Sequence, residues 1–418
     1  MRFLSSFTSD KTKRIASGAI YYFSIALSLF IFFFLLKNYG FGQGPDMDVF
    51  CKAGGVIRRG GNPYLVAELG TTLSWNYLPI YALAFRVLCS RLTFLETYPI
   101  WYSVLFLLSL EIWANHKTWL YGLVITATGL FALGSVLQSG NLGVIELALI
   151  SLSAFWLLRG YLRAAFFSLG MVASLKLFPL LYIPVFFLIL RDWKSRRSAL
   201  VWGAIGFLLP FLLSALWRPD LLPWYFRQLM GLIPNQHAPI YEGGGDNPSL
   251  FFMFTDLFSV NISHSAQMTL SILFLLLICA LLYLLWHKFL PQIPPMYRDE
   301  FTIGLGIVVM TLLMPRIKSY SFLPALLFVY VLSRNVSLLR RALVLLLISI
   351  LPQAIVIAGK AGLVEEIARS SPVILIEKLL FLQNYFQPFF LSLILVLIFL
   401  WARSRVLYPK PSEEEPSA

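Results

Sequence analysis

Two aspartates stand two positions apart in the stretch GPDMDVF, just after the first long apolar segment. Asp46 and Asp48 draw attention because the 418-residue chain has only 20 acidic residues. A carboxylate at a membrane surface can act as a general base, taking the proton from a hydroxyl that attacks an electrophile. The pair could instead stabilise the start of a helix, or contribute to a metal site. Since no third acidic ligand lies nearby, we predict no metal ion and no other cofactor, and keep both residues as catalytic candidates.

Cations at two predicted outer turns are a second group of candidates. Lys176 lies in SLKLFPLL, and Arg316 and Lys318 lie in MPRIKSYSF. Positive charges at the edge of a membrane are costly unless they are paired. An anionic ligand such as phosphate would pair them, and arginine suits bidentate contact with phosphate. The alternatives are pairing with a loop carboxylate such as Asp220, or extension of the side chain to the membrane surface.

Neutral and buried polar side chains are a third group. The segment LQSGN offers Gln138 and Asn141, which could hold substrate hydroxyls or cap the following helix. Glu111 and Glu146 fall inside predicted membrane spans, near one end of each span. Ionisable residues inside membrane spans are functional candidates by default.

A long loop between residues 217 and 266 completes the candidates. Three consecutive glycines at 243–245 make it a candidate lid. His237 in this loop is a possible acid–base group.

The composition identifies a membrane protein. The chain is 59% hydrophobic and 13% charged, with a mean hydropathy of +0.78. Repeated apolar runs of membrane-crossing length predict an all-α integral membrane protein. The net charge of +13 is attributed to lysines and arginines at helix ends, which set topology, and not to nucleic-acid binding. The three cysteines are scattered, so neither a disulfide framework nor a zinc site is expected.

Apolar segments predict about twelve transmembrane helices in a bundle. A further run at 76–92 has Arg86 in its middle and is expected to be re-entrant or to lie on the surface. Several short runs interrupted by prolines are expected to be half-helices or broken helices. The candidate spans are 18–36, 97–115, 119–137, 141–158, 162–176, 177–190, 198–216, 267–287, 301–314, 320–333, 338–358 and 381–402.

Basic clusters orient the spans. Lysines and arginines concentrate before the first span, around 159–163, at 191–197, around 334–341 and after the last span. Cytoplasmic loops are enriched in such residues, so we place these turns in the cytoplasm and the long loops outside. The predicted regions are a catalytic membrane module at 1–335, with outer loops at 37–75 and 217–266, C-terminal membrane helices at 336–402, and a disordered cytoplasmic tail at 403–418.

A short amphipathic helix is predicted after the two aspartates, in DVFCKAGGVIRRG. Its apolar positions Val49, Phe50, Ala53 and Ile57 would face lipid or protein, while its basic residues would face water or phosphate. The glycines that follow, at 60 and 61, would end it.

These residues, in this order, resemble glycosyltransferase family 87, whose members are multispan enzymes of the GT-C type that use polyprenol-phosphate sugars. The resemblance runs from about residue 40 to 325. Gly140 is displaced from the family's G-Q-x-N pattern. The motifs that carry it are Asp46 with Phe50, Gly61-Asn62-Pro63-Tyr64, Tyr77-Leu78-Pro79, Gln138 with Asn141, Lys176 with Pro179, Asn247-Pro248-Ser249, and Pro315, Arg316, Lys318 and Tyr320.

The resemblance implies a glycosyltransferase of the cytoplasmic (inner) membrane with its active site on the outer, periplasmic or extracellular, face. It would move a hexose, with mannose favoured, from a polyprenyl-phosphate donor to a lipid or glycan hydroxyl. Asp46, which keeps the family spacing to an aromatic residue, would be the base of an inverting reaction. The resemblance further implies donor phosphate at Arg316, Lys318 and Lys176, and substrate contacts at Tyr64, Gln138, Asn141, Asn247, Tyr320 and His237.

Two other classes of membrane protein stay open on the sequence. A transporter or flippase of lipid-linked sugars would use the same cations without a base, and would show internal repeats. A polymerase or ligase of surface polysaccharide would need an essential His or Arg in a long loop, for which His237 with Arg218 or Arg227 is the candidate set.

Overall fold

A computed structural model describes residues 44–91, 94–112, 136–233, 295–314 and 317–325, with isolated positions elsewhere. These residues are mostly helical and contain no β-strand, which confirms the all-α prediction for this part of the chain. The helices are α1 (Pro45–Arg58), α2 (Val66–Leu69), α3 (Pro79–Arg91), α4 (Phe94–Glu111), α5 (Gly143–Leu158), α6 (Leu162–Leu175), α7 (Tyr182–Phe187), α8 (Trp193–Trp217), α9 (Leu222–Leu229) and α10 (Pro295–Leu312), with 3₁₀ turns at Phe178–Leu181, Pro219–Leu221 and Ser319–Ala325.

The chain divides into two compact units. The first comprises Met1–Glu242 with Ser319–Tyr330, and the second comprises Gly243–Lys318 with Val331–Ala418. Helices α1 to α9 belong to the first unit. In the second unit the described helix is α10, whose apolar residues are buried along its C-terminal half.

Helix α1 is the amphipathic helix that the sequence predicts. Pro45 occupies its first turn and both aspartates follow, an arrangement that suits the positive end of a helix dipole. The predicted apolar residues are buried against protein, while Lys52 is exposed. The helix ends before Gly60, which has a φ of 80°. Glycine adopts this left-handed conformation readily because it has no Cβ.

Helices α5 and α6 form an antiparallel hairpin, closed by a turn at Gly160 with φ of 82°. Helix α8 packs closely on α6 through small residues. A Cβ on Gly170 would collide with the backbone of Gly203, and a Cβ on Gly206 would collide with the backbone of Phe167. Small residues of this kind let helix backbones approach closely in membrane proteins.

Membrane-crossing length is met by one described helix, α8, with 25 residues and a mean hydropathy of 2.1. Helices α3 and α4 pass the same test only as a pair, and they are bent by 107° at the break between them. Helices α5 and α6 are shorter apolar helices, as is Phe178–Phe187. This last segment changes from a 3₁₀ turn to an α-helix between Pro179 and Pro184. The bundle of about twelve spanning helices therefore stays a prediction.

A disulfide joins α1 to α3, which corrects the expectation from the scattered cysteines. Cys51 and Cys89 are bonded, with their Cα atoms 5.6 Å apart. Their separation of 38 residues matches no cysteine motif that would predict the pairing from sequence. The pairing arises because Gly54 lets the two helices touch, since a Cβ there would lie 2.6 Å from the Cβ of Arg86.

Candidate active site

The orientation of α1 is fixed by an aromatic cluster one turn beyond Asp46. Phe50 is 2% exposed and packs edge-on against Trp75 and Tyr77, with Phe85 at 4.8 Å between ring centroids. Residues four positions apart lie on the same face of a helix. Burying Phe50 therefore turns Asp46 toward the interior.

The turn at residues 139–141 fits against the start of α1. Gly140 has φ of 74°, and a Cβ on it would lie 2.5 Å from the Cβ of Met47. On the other side, a Cβ on Gly44 would lie 2.5 Å from the hydroxyl of Tyr98. That hydroxyl donates to the carbonyl of Leu137 at 2.7 Å, which ties the turn to α4. Two glycines thus allow the contact that brings the turn beside Asp46.

Asp46 accepts a hydrogen bond from the side chain of Asn141. The Nδ2 atom of Asn141 lies 2.7 Å from Oδ2 of Asp46 across 95 positions of sequence. Asn141 is 4% exposed. It does not cap α5, whose N-cap is Leu142 and has no side-chain cap. Of the two alternatives for Asn141, helix capping is therefore wrong, and its side chain instead contacts Asp46.

Lys176 and Glu146 extend this contact inward. Lys176 is the C-cap of α6, and its ammonium donates to Oδ1 of Asn141 at 2.8 Å. The same ammonium lies 3.1 Å from Oε2 of Glu146, whose side chain is fully buried in the first turn of α5. Four side chains from three helices and a turn thus form a continuous chain in the order Asp46, Asn141, Lys176, Glu146.

Asp48 has a different environment. It pairs with Lys52 at 2.7 Å, one turn along α1, and the two side chains are 30% and 45% exposed. Both aspartates lie in the first turn of α1, whose N-cap is Gly44 and has no side-chain cap. Because the two carboxylates have different partners, they do not converge on one position.

Tyr64, predicted as a substrate contact, is a core residue in the structure. It is fully buried and donates from its hydroxyl to the carbonyl of Tyr77 at 2.7 Å. Burial raises the pKa of Tyr64, so the phenol stays protonated and acts as a donor. Its position in Gly61-Asn62-Pro63-Tyr64 serves to hold this loop against the aromatic cluster.

The other predicted site residues are placed as follows. Gln138 is exposed, one turn before Asn141. Lys318 is partly exposed, and Tyr320 belongs to the 3₁₀ turn Ser319–Ala325. The described residues do not include Arg316, Asn247 or His237.

Two of the basic turns, around residues 159–163 and at 191–197, lie together at one end of the α5–α6 hairpin. Asp46 lies at the other end. Gly160, Arg163 and Lys194 line one cavity of about 490 Å³, with Ser195 and Ser198. Helix α5 has 16 residues, so this cavity lies about 24 Å from the start of α5 beside Asn141, at 1.5 Å per residue. The hairpin therefore separates a basic end from the end that carries Asp46.

Glu146 is the residue of this chain of contacts whose partner the sequence did not predict. It was identified as a carboxylate within a span, but without a partner. Glu146 lies 14 positions before Gly160, and Lys176 lies 16 positions after it. In an antiparallel hairpin such positions face each other, so the glycine turn was the signal that could have paired them.

A comparison with protein-family models identifies the chain. The model of glycosyltransferase family 87 matches residues 75–315, more than half of the sequence. The chain belongs to glycosyltransferase family 87. No curated protein gives a significant match to it.

Family membership confirms the resemblance seen in the motifs and establishes a membrane glycosyltransferase, with a sugar donor and an acceptor as substrates. The matched segment includes Asn141, Glu146 and Lys176 but begins after Asp46 and Tyr64 and ends before Arg316. The case for Asp46 in this glycosyltransferase therefore rests on its contact with Asn141, a residue inside the matched segment.

Proposed function

We propose that this glycosyltransferase transfers a hexose, with mannose favoured, from a polyprenyl-phosphate donor to a hydroxyl of a lipid or glycan acceptor. The observation that carries the proposal is the carboxylate of Asp46, held at 2.7 Å by an asparagine of the family segment. A membrane-anchored donor suits a chain in which the partners of Asp46 lie at the ends of the apolar helices α5 and α6.

Asp46 is the general base in this proposal. Its carboxylate takes the proton from the acceptor hydroxyl while that oxygen forms a bond to the anomeric carbon of the sugar. The bond between the anomeric carbon and the phosphate oxygen breaks, and polyprenyl phosphate leaves with the electron pair. One such displacement inverts the anomeric centre. Asp48 is a poorer base candidate because Lys52 occupies it at the surface.

Cations near the C-terminal end of the family segment serve the leaving group. We assign Arg316 and Lys318 to the donor phosphate because fixed positive charges stabilise the charge that develops there. The assignment rests on the motif P-R-x-K-x-Y in the sequence. Lys176 is the third cation predicted to bind the donor phosphate, and its ammonium contacts Asn141 and Glu146.

The site is assigned to the outer face of the cytoplasmic membrane. Basic turns mark cytoplasmic ends of membrane helices, and the cavity lined by Arg163 and Lys194 marks that end of the hairpin. The bond between Cys51 and Cys89 supports the same orientation, because disulfides persist in oxidising compartments outside the cytoplasm.

The polymerase or ligase alternative finds no support in the described residues. Its candidate Arg218 forms a bidentate pair with Asp220 and donates to the carbonyl of Ile57 at the end of α1. This contact lowers the pKa of Asp220, as expected of an ion pair with a structural role. Its other candidate, Arg227, lies over the ring of Trp224 at 5.2 Å.

The test is transfer by purified protein in liposomes that contain radiolabelled polyprenyl-phosphate mannose and a lipid or glycan extract. We expect labelled product from the wild type and none from Asp46→Asn. Donors with other hexoses, run in parallel, test the choice of sugar. Movement of the labelled lipid between leaflets without product would instead identify a flippase and would contradict the proposal.

A further inference from the structure

We propose that Glu146 is a positioning residue that acts on Asp46 through Lys176 and Asn141. The proposal rests on the role of Asp46 given above. Glu146 contacts Lys176, Lys176 contacts Asn141 and Asn141 contacts Asp46, so its effect passes through two intervening side chains.

Lysine fixes the direction of the asparagine amide. An ammonium group carries only hydrogen-bond donors, so the atom of Asn141 that faces Lys176 must be the carbonyl oxygen. The amide nitrogen then points the other way and donates to Asp46. A reversed amide would present its oxygen to the carboxylate, two acceptors in contact, and would release Asp46. The charge on Lys176 thus determines the hydrogen bond that orients the base.

Glu146 holds the ammonium of that lysine in place. The side chain of Lys176 is 15% exposed, and its ammonium lies 3.1 Å from Oε2 of Glu146. Without this ion pair the long lysine side chain has more freedom to move away from the carbonyl oxygen of Asn141. The amide of Asn141 would then no longer be held in one orientation.

The hydrogen bonding of Glu146 is poorly explained by stability alone. Its Oε1 atom is buried and has no hydrogen-bond partner among the described residues, while Oε2 contacts Lys176. A buried carboxylate with one oxygen unsatisfied costs free energy that a neutral side chain would avoid. Such a group is expected where its charge serves a function.

The electrostatic surroundings of Asp46 allow a signed test. Among the described residues, Tyr98 and Tyr102 of α4 interact electrostatically with Asp46. On its own helix the nearest charges are the exposed pair Asp48 and Lys52. At pH values where both tyrosines are neutral, they add no charge near Asp46, whereas a substitution of Glu146 or Lys176 changes the charge on its buried side.

The experiment measures kcat, the KM for polyprenyl-phosphate mannose, and the pH midpoint of the acid limb of kcat. For Glu146→Gln and Lys176→Met we expect kcat to fall about 10-fold to 100-fold with little change in KM, as for a displaced catalytic group. Removing the negative charge in Glu146→Gln moves the midpoint to lower pH. Removing the positive charge in Lys176→Met moves it to higher pH.

Two matched controls carry the same chemical changes at exposed positions. Glu96→Gln on α4 and Lys194→Met on α8 should keep the wild-type kcat and midpoint. The variant Glu146→Gln with Lys176→Met removes both charges together, which buried sites tolerate well. It keeps the test informative if a single variant does not fold, and its kcat must fall as well.

A double-mutant cycle tests the route. If Glu146 acts through Asn141, adding Glu146→Gln to Asn141→Ala leaves kcat within about twofold of Asn141→Ala alone. Wild-type kcat and midpoint in Glu146→Gln would overturn the inference. So would a raised donor KM with unchanged kcat in Lys176→Met, which would make Lys176 a phosphate ligand. Asp46→Asn runs alongside, because full activity in that variant would reject the proposed base itself.

Discussion

At the scale of single residues, the two aspartates of GPDMDVF differ because the helix between them turns. Asp46 lies on the face of α1 that buries Phe50, and it reaches Asn141. Asp48, two positions on, lies about 200° further around the helix and pairs with Lys52 at the surface. One carboxylate is held by the protein interior, and the other contributes the small stabilisation typical of an exposed pair.

Asn141→Asp tests this environment by adding a charge. It places a second carboxylate within hydrogen-bond distance of Asp46, and two adjacent carboxylates raise the pKa of one of the pair. A base with a raised pKa needs a higher pH to ionise. We therefore expect the acid limb of kcat to move up by at least about one pH unit.

Its control is Asn76→Asp, an exposed position whose side-chain oxygen accepts from Gln228 and can still do so as a carboxylate. This variant should keep the wild-type pH profile. An unchanged profile in Asn141→Asp would mean that the base lies elsewhere.

The sequence predicted several residues of the site but not their partners. Asp46, Asn141 and Lys176 were identified from residue type and position, and the structure brings them together. Lys176 was predicted to contact the donor phosphate, and its contacts with Asn141 and Glu146 were not predicted, since pairing depends on which helices are neighbours. Tyr64 matched a motif of the family, but burial of its ring is a property of the packed cluster and is not visible in the motif.

At the scale of elements, the site depends on how closely the 139–141 turn approaches α1. Gly140 and Gly160 both have positive φ, 74° and 82°. A Cβ on Gly160 would meet nothing within 4 Å, whereas a Cβ on Gly140 would meet Met47. Alanine at either position carries the conformational cost of a positive φ. Only alanine at Gly140 would in addition displace α1.

Gly140→Ala is expected to reduce transfer strongly, because the turn must move away from Met47 and Asn141 moves with it. Gly160→Ala costs about 1 kcal/mol from its left-handed conformation alone and should keep its kcat. Initial rates and unfolding temperatures of both variants check this. Equal kcat in the two variants would show that the contact at Met47 does not position the site.

The amphipathic helix α1 was predicted correctly, whereas the disulfide was not expected. The difference lies in whether the feature depends on local sequence or on the packing of distant helices. Helical periodicity is local, so the buried and exposed faces of α1 could be assigned from a few residues. The bond between Cys51 and Cys89 depends on the packing of α1 against α3, which spacing alone does not encode. Close approach at Gly54 allows it.

The disulfide predicts how many cysteine thiols react with a labelling reagent before and after reduction. Under denaturing conditions, a maleimide reagent should add once to the chain before reduction, at Cys279, and three times after it. Reduction should also lower stability by about 2–4 kcal/mol, since the bond closes a long loop in the unfolded chain. Three adducts before reduction would contradict the bond, and Cys279→Ser provides the control with no adduct before reduction.

At the scale of the whole molecule, the two ends of the α5–α6 hairpin should face opposite sides of the membrane. Two variants are made separately in a Cys279→Ser background. Thr72→Cys lies at an exposed position in the loop before α3, and Lys194→Cys lies at an exposed position at the basic end of the hairpin. We expect a membrane-impermeant maleimide to label Thr72→Cys in intact cells, and Lys194→Cys only after the membrane is opened. The reverse pattern would place Asp46 in the cytoplasm.

The all-α class and the family could be predicted from hydropathy and motif order, because both are properties of the linear sequence. The number of spans could not be settled in the same way. Short helices interrupted by prolines, such as Phe178–Leu181 followed by α7, match neither a full span nor a loop in a hydropathy profile.

The central claim is that Asp46, and not Asp48, is the base of the transferase. The most direct measurement is the initial rate of sugar transfer by Asp46→Asn and Asp48→Asn, the same change two positions apart on one helix. We predict that Asp46→Asn lowers kcat by at least about 100-fold, the usual contribution of a general base, and that Asp48→Asn stays within about twofold of wild type. Equal rates in the two variants, or a greater loss in Asp48→Asn, would contradict the account.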